Sequence, residues 1–336
     1  MVSSPLICII VPCYNEEDNV EPLYQRVTTA MAQVSDVRFE ILFIDNASTD
    51  RTQERLRQLA AHDRRVKVIF NVRNFGVLRS PAHALFQAPG NAVIPMACDL
   101  QDPPELLPDF IRHWRSGFKL VTAVKPVSQE GAFMFRLRRN YYRILNKISE
   151  TPLIENFTGY GLYDREVIEV LRGIPDRRPY FRGLIAELGY ARAEIPFVQP
   201  KRQRGITKNN FYALYDVAMT GLTSHSRLPL RLATMAGFVL GTLSLLVALT
   251  YLIVKLIHWN SFALGQAPLL IGVFFFGSVQ LFFIGILGEY IGAIHSQVHP
   301  RPWVIERERL NFDDERAEVE RTGVECTDVE RVEVEN

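Results

Sequence analysis

The 336 residues carry 38 Lys and Arg against 37 Asp and Glu, a net charge of +1, so no basic excess points to nucleic acid. Four cysteines, at positions 8, 13, 98 and 326, show no CxxC spacing; neither a zinc site nor a disulfide framework follows, and a reducing compartment fits. The length suffices for a core domain plus an added module, and the first residues lack the basic-then-apolar pattern of a cleaved leader.

Residues 6–11, LICIIV, form an apolar run rich in branched side chains, the signature of a central parallel strand buried on both faces. Pro12 is expected to stop it. A helix should begin near Asp18 or Asn19, capped by Asn15 or Asp18, and run to about Val34. The second strand, Phe39 to Ile44, ends at Asp45-Asn46-Ala47-Ser48. Ser48 or Asp50 is placed to cap a helix through His62. A third strand covers 66–70, a helix about Ser80 to Gln87, and a fourth strand 92–97. A helix and a strand at 120–125 occupy 106–125. Strands alternating with helices predict an α/β domain with a mostly parallel sheet.

The fourth strand opens into the acidic stretch 97–105, ACDLQDPPE, with carboxylates at Asp99, Asp102 and Glu105. Ligands of open α/β sheets sit beyond the carboxyl ends of strands. Hard cations want oxygen ligands, often beside phosphates. The stretch therefore reads either as a loop for a metal-bound phosphorylated ligand or as an exposed acidic turn. Polar residues cluster after the other strands too: Asn15 and Glu16, Asp45 and Asn46, Asn74. They suit hydrogen bonds to a nucleobase or ribose; caps and turns are the alternative. No GxGxxG follows the first strand and no P-loop motif occurs.

Residues 131–150 are helical by pattern, and Arg136, Arg138, Arg139, Arg143 and Lys147 suit a phosphate or an anionic membrane; a solvated basic face is the alternative. Residues 156–165 predict a strand or loop with close backbone contacts, and 179–187 a short helix. The basic loop 197–210 carries Lys201, Arg202, Arg204 and Lys208, a clamp for diphosphate or lipid phosphate.

Residues 232–254 hold 23 positions without a charge, and 260–288 a further 29, most apolar near 267–288. At about 1.5 Å per residue each spans a hydrocarbon core of roughly 30 Å. Arg227 and Arg231 on one side and Arg301, Arg307 and Arg309 on the other place both ends in the cytoplasm, so a hairpin of two transmembrane helices is expected in an inner membrane. Residues 209–230 would lie along the interface. The segment 291–336 reads as a cytoplasmic tail, largely disordered, with ten acidic and three basic residues from Asn311 on. Gly237, Gly241, Gly285 and Gly288 would permit helix association into a homo-oligomer; ordinary membrane-helix composition accounts for them equally.

Taken in order, IIVPCYNEEDNV at 9–20, FIDNASTD at 43–50, RNFG at 73–76, DLQDPPELL at 99–107, LYDR at 162–165, FRGLI at 181–185 and Arg204-Gly205 with Lys208 resemble the membrane-anchored polyisoprenyl-phosphate glycosyltransferases, which have the GT-A type of nucleotide-diphospho-sugar transferase fold. The group includes dolichyl-phosphate mannose synthases and bacterial undecaprenyl-phosphate glucosyltransferases. The resemblance covers roughly residues 5–295. It implies a GT-A catalytic domain over 1–208 and inverting transfer of one sugar from a nucleotide donor to a polyisoprenyl phosphate. UDP-glucose leads as donor, with GDP-mannose and amino sugars open. Pro12, Tyr14, Glu16 and Asp45 would line the nucleoside pocket. Asp99, with Gln101 beside it, would bind Mg2+ or Mn2+. Asp102 would lie near the sugar, and Arg204 and Lys208, with Arg136 and Arg139, would meet phosphate.

Two departures stand out. Ala97 replaces the first aspartate of the metal motif, and Thr158-Gly159 replaces a Gly-Asp pair ahead of Asp164; Asn46 also stands where a second aspartate often sits. Three outcomes follow: an enzyme whose metal site is completed by Gln101, water and diphosphate; a branch in which Glu155 or Asp102 takes the displaced role; or a degenerate membrane adaptor that binds nucleotide sugar. The intact Asp99, Gln101, Asp102 and basic loop favour activity.

Overall fold

The structure is a computed structural model and describes residues 4–125, 154, 156–174, 181–200, 228–257, 266–298, 302 and 304–312. Eight strands form one sheet in the order β7-β5-β6-β4-β1-β2-β3-β8. They are β1 (Leu6–Cys13), β2 (Arg38–Asp45), β3 (Val66–Asn71), β4 (Ala92–Pro95), β5 (Leu120–Val124), β6 (Phe157–Asp164), β7 (Arg192–Pro196) and β8 (Glu306–Leu310). The helices are α1 (Val20–Met31), α2 (Thr52–His62), α3 (Gly76–Gln87), α4 (Leu107–Arg115), α5 (Arg165–Gly173), α6 (Phe181–Glu187), α7 (Leu228–Ile257) and α8 (Gln266–Val298).

Period-two alternation sorts the strands into two packed layers. Ile7, Ile9, Val11, Ile41 and Phe43 face one side with Val20, Leu23, Val27 and Met31 of α1. Cys8, Ile10, Leu42 and Ile44 face the other with Ala84 and Leu85 of α3 and Val167, Ile168 and Leu171 of α5. Burial of each such aliphatic side chain contributes about 1.5–3 kcal/mol.

The sheet is mixed, with a parallel majority. Of seven pairings, four are parallel, uniting β3, β2, β1 and β4 at the centre and β5 with β7. The β4–β6, β5–β6 and β3–β8 pairs are antiparallel. Pro12 does not end β1, which continues to Cys13. The Ile10 carbonyl accepts from Met96 on the β4 side, and the Cys13 carbonyl accepts from Asn46 on the β2 side. Alternation turns Pro12 toward β4, past the last registered pair Ile10–Pro95, where no ladder N–H is needed.

Asn19 precedes α1 without a side-chain cap, and Asn15 is engaged elsewhere. Asp50 does serve the start of α2, accepting from the Thr52 N–H at 3.0 Å. Helix α3 begins four residues before its expected start and takes Pro81 into its second turn.

The segment after the apolar helices is the largest departure from expectation. Far from a tail, Glu306–Leu310 adds an antiparallel edge strand to β3. Arg57 of α2 holds Glu308 through two bonds of 2.9 and 2.8 Å, while Asn311 caps carbonyls of Ala60 and Val66. His83 of α3 bonds Glu306 at 2.5 Å. Helix α8 contains Phe275–Gly292, the one stretch among the described residues long and apolar enough to cross a membrane; α7 carries a shorter apolar run, Leu232–Leu243. Both helices expose large apolar side chains, including Phe238 and Leu281. The expected helix at 131–150 lies outside the described residues, as does 209–227.

Candidate active site

The chain builds β1, β2 and β3 outward, then crosses back to set β4 on the opposite flank of β1. This reversal opens a crevice at the carboxyl ends of β1 and β4, the place where open α/β sheets bind ligands. Backbone strain gathers at the same edge. Asn15, Ala47 and Leu100 have φ of 55°, 60° and 62°, and each lies in the loop that follows β1, β2 or β4. Left-handed backbone at a non-glycine residue costs about 1–2 kcal/mol and concentrates at functional sites.

The first two loops are stitched together. The Asn15 N–H donates to Ser48 Oγ at 2.8 Å, and the Asn15 side-chain oxygen accepts from the Thr49 N–H at 2.8 Å. The Glu16 N–H donates to Thr52 Oγ1 at 2.8 Å, and the Glu16 carboxylate accepts from Asn19 at 2.6 Å. Half-buried Pro12 and Tyr14 belong to the same rim.

Asp45 ends β2 on the floor of this rim and is fully buried. Its carboxylate accepts from the Ser48 N–H at 3.1 Å and from Gln53 Nε2 at 2.9 Å. Burial pushes its pKa up, against the bonds from Ser48 and Gln53 and the charge of Arg307. Asn46 faces away from this task. It donates to Asn74 Oδ1 at 2.9 Å and accepts from the Phe75 N–H at 2.8 Å and from Asn71 at 3.2 Å. An amide both donates and accepts there, which a second carboxylate could not do. Asn46 and Asn74 thus lock the β2 and β3 loops.

In the acidic loop, left-handed Leu100 turns the chain so that the Gln101 N–H donates to Asp99 Oδ1 at 3.1 Å. Asp99 and Gln101 are half-buried at the crevice. Asp102 is 8% exposed and reaches back to accept from the Ala97 N–H at 2.9 Å. Burial raises its pKa to about 6; the Ala97 bond and the charges of Lys125 and Arg182 oppose the rise, while Asp99 adds to it. Tyr160 of β6 fixes the loop from below, donating to the Pro103 carbonyl at 2.7 Å and packing edge-on against Phe110 at 4.9 Å. Glu105 lies outside the crevice, paired with Arg26 of α1 at 2.8 Å. Cys13 and Cys98 are buried beside the strand ends; burial pushes the Cys13 thiol well up, disfavouring its thiolate.

Among the described residues, no three His, Cys, Asp or Glu side chains gather as a metal cage. Within the acidic loop Ala97 offers no ligand, Glu105 pairs with Arg26 and Asp102 is turned onto the backbone, which leaves the Asp99 carboxylate at the crevice. Magnesium-type ions are commonly held by one or two carboxylates plus substrate phosphates. Among the described residues, this donor set fits a cation held partly by a substrate's phosphates.

The Asp164-Arg165 pair does structural work. Asp164 caps α5 through the Glu166 N–H and accepts from Trp114 Nε1 at 2.7 Å. Arg165 donates to the carbonyls of Gly90 and Ala88, both at 2.7 Å, tying β6 to the end of α3. Lys125, Arg182 and Gln53 were not singled out from the sequence. FRGLI at 181–185 marked the neighbourhood of Arg182; nothing local marked the other two. Glu155, Arg136, Arg139, Arg204 and Lys208 lie outside the described residues.

A central parallel sheet, a switch-point crevice and strand-end carboxylates make up a GT-A-like α/β fold, here joined to a membrane-length apolar helix. Residues 8–172 match the model of glycosyl transferase family 2. An uncharacterized glycosyltransferase of Synechocystis is 33% identical over 297 residues, covering 88% of this chain and 93% of the relative. The SfII prophage-derived bactoprenol glucosyl transferase of Shigella flexneri is 34% identical over 297 residues, covering 88% and 96%. A prophage bactoprenol glucosyl transferase homolog of Escherichia coli is 31% identical over 303 residues, covering 90% and 98%. The chain belongs to glycosyl transferase family 2 and is an enzyme of sugar transfer.

Proposed function

We propose that this enzyme transfers one glucose, with inversion, from UDP-glucose to a polyisoprenyl phosphate of the undecaprenyl type at the cytoplasmic face of the membrane. The observation that carries this is the pair of strained loops that follow β2 and β4, holding Asp45 and Asp99, in a chain that also has a membrane-length helix. Near full-length similarity to bactoprenol glucosyl transferases supports the sugar and the acceptor.

Asp45 accepts a hydrogen bond from the base, within a pocket rimmed by Pro12, Tyr14 and Glu16. A phosphate oxygen of the lipid attacks the anomeric carbon on the face opposite the diphosphate. The new C–O bond forms as the bond to the diphosphate oxygen breaks, and UDP departs with that electron pair. A phosphate monoester is already largely dianionic at pH 7, its second pKa being about 6, so no strong general base is required. Asp99, with Gln101 beside it, would hold Mg2+ or Mn2+ against the diphosphate, and the ion would offset charge on the leaving group. Asp102, facing Lys125 and Arg182, orients the acidic loop beside the sugar. Arg136, Arg139, Arg204 and Lys208 are proposed to meet the diphosphate and the lipid phosphate, and Glu155 to take the acceptor-side position vacated at Gly159.

The membrane arrangement proposed is a hairpin of α7 and α8. Support comes from β8: it follows α8 yet pairs with β3 of the catalytic sheet. An even number of crossings returns the chain to the side it left. Among the described residues, a Cβ added at Gly237, Gly241, Gly285 or Gly288 would meet nothing within 4 Å, and we propose these faces for association between copies.

The test uses purified protein in detergent, undecaprenyl phosphate, and radiolabelled UDP-glucose, GDP-mannose and UDP-linked amino sugar, with manganese or chelator. Label entering the lipid fraction from UDP-glucose is expected. Transfer only from another donor would replace the sugar. Nucleotide binding without transfer would make the chain a degenerate adaptor.

A further inference from the structure

Strand β8 reaches the donor site as well as closing the sheet. Arg307 donates to Gln53 Oε1 at 2.7 Å. The same Gln53 amide donates through Nε2 to Asp45 Oδ2 at 2.9 Å and to the Ser48 carbonyl at 3.0 Å. An amide oxygen held by a guanidinium leaves its NH2 group aimed at the carboxylate, so Arg307 fixes which way round Gln53 sits. The guanidinium also lies over Phe70, 5.9 Å from the ring centroid, and Arg57 covers the same ring at 4.3 Å. We infer that Arg307 and Gln53 form a positioning relay for Asp45, by which the segment following the membrane helix sets the affinity for the nucleoside diphosphate of the donor.

The inference rests on Asp45 lying in the nucleoside pocket. Of the charged residues on β8, Arg307 is the one bonded to Gln53. Glu308 pairs with Arg57, and Arg309 with Glu306 and Gln87. Arg57 therefore supplies a control: its loss loosens β8 on α2 and the packing on Phe70 but removes no hydrogen bond of the relay.

The experiment titrates the full chain in detergent with UDP, and with GDP in parallel, and measures donor KM and kcat. Arg307→Gln is expected to weaken UDP binding about fivefold, as for loss of a hydrogen bond worth about 1 kcal/mol, with the change in KM rather than kcat. Arg307→Lys should recover most of the affinity, and Arg57→Gln should change it less than twofold. Gln53→Leu, which leaves the β8 ladder alone, should weaken binding at least as much, and adding Arg307→Gln to it should cost nothing more. Should Arg307→Gln not fold, Gln53→Leu alone and its combination with Arg307→Lys decide the matter. Equal losses in Arg57→Gln and Arg307→Gln would reduce β8 to a clamp and overturn the relay. So would normal binding in both relay variants while Asp45→Asn is impaired. Normal binding of both nucleotides by Asp45→Asn would instead overturn the placement of Asp45.

Discussion

Asp102→Asn should make the protein more stable and less active at neutral pH. The carboxyl is 8% exposed and bonded to the Ala97 N–H, and burial raises its pKa from 3.8 to about 6. In the unfolded chain the group ionises near the lower value. Between the two values the native state therefore binds more protons than the unfolded state, and stability falls as pH rises through this window. Stability is highest below the unfolded pKa and is lost through about pH 6; above it the deficit is constant. A difference of about 2 units at 1.36 kcal/mol each gives about 3 kcal/mol. Asparagine keeps an oxygen for the Ala97 N–H and removes the ionisation, so it should recover about 2–3 kcal/mol at pH 7. For a domain of this size that is roughly 5–10 °C in melting temperature. Thermal unfolding in detergent from pH 4 to 8 measures it, as the difference between wild type and variant. Transfer should fall at least tenfold, because the charge facing Lys125 and Arg182 is gone. Parallel pH curves for the two proteins, or a variant less stable at pH 7, would refute the account of a strained buried carboxylate.

Four further outcomes are expected. Asp99→Asn should bring sugar transfer below detection while the fold, followed by circular dichroism, persists; unchanged turnover would remove Asp99 from the metal role. Tyr160→Phe should cost about 1 kcal/mol, the net value of its bond to the Pro103 carbonyl, measured by denaturation. Gly161→Ala should prevent folding or cost more than ~3 kcal/mol in the same assay, since its Cβ would meet the Val121 carbonyl oxygen at 2.2 Å. Burial works against ionised Glu306, yet bonds from His83 and Arg309 hold its pKa down, from 4.5 to about 2. Its stabilisation is thus present above pH 4.5 and lost as pH falls through 2. Glu306→Gln should flatten that acid limb and, after solvent screening, cost about 1 kcal/mol at pH 7.

The parallel centre of the sheet was legible because LICIIV is a continuous apolar run, and residues 39–44 and VKVIF are apolar but for Glu40 and Lys67. The acidic loop was legible because carboxylates and two prolines interrupt the fourth such run. Strand β8 was not, for a physical reason. Its sequence ERERL is charged at four successive positions, alternating in sign, and its partners Arg57 and His83 come from helices more than 200 residues earlier. Nothing local distinguishes it from the acidic segment that follows. The inward turn of Asp102 was equally hidden, since a carboxylate in a loop reads as solvated until Leu100 and Tyr160 are seen to fold it back. Asn46 read as a lost aspartate, whereas its two-sided hydrogen bonding gives the amide a reason of its own.

One measurement bears most directly on the central claim, a single direct displacement of UDP by lipid phosphate in the crevice. The anomeric configuration of the glucosyl phospholipid formed from α-linked UDP-glucose can be read by NMR coupling constants. A β-linked glucosyl phosphate is the predicted product. An α-linked product would mean retention through a covalent or front-face route and would contradict the single direct displacement.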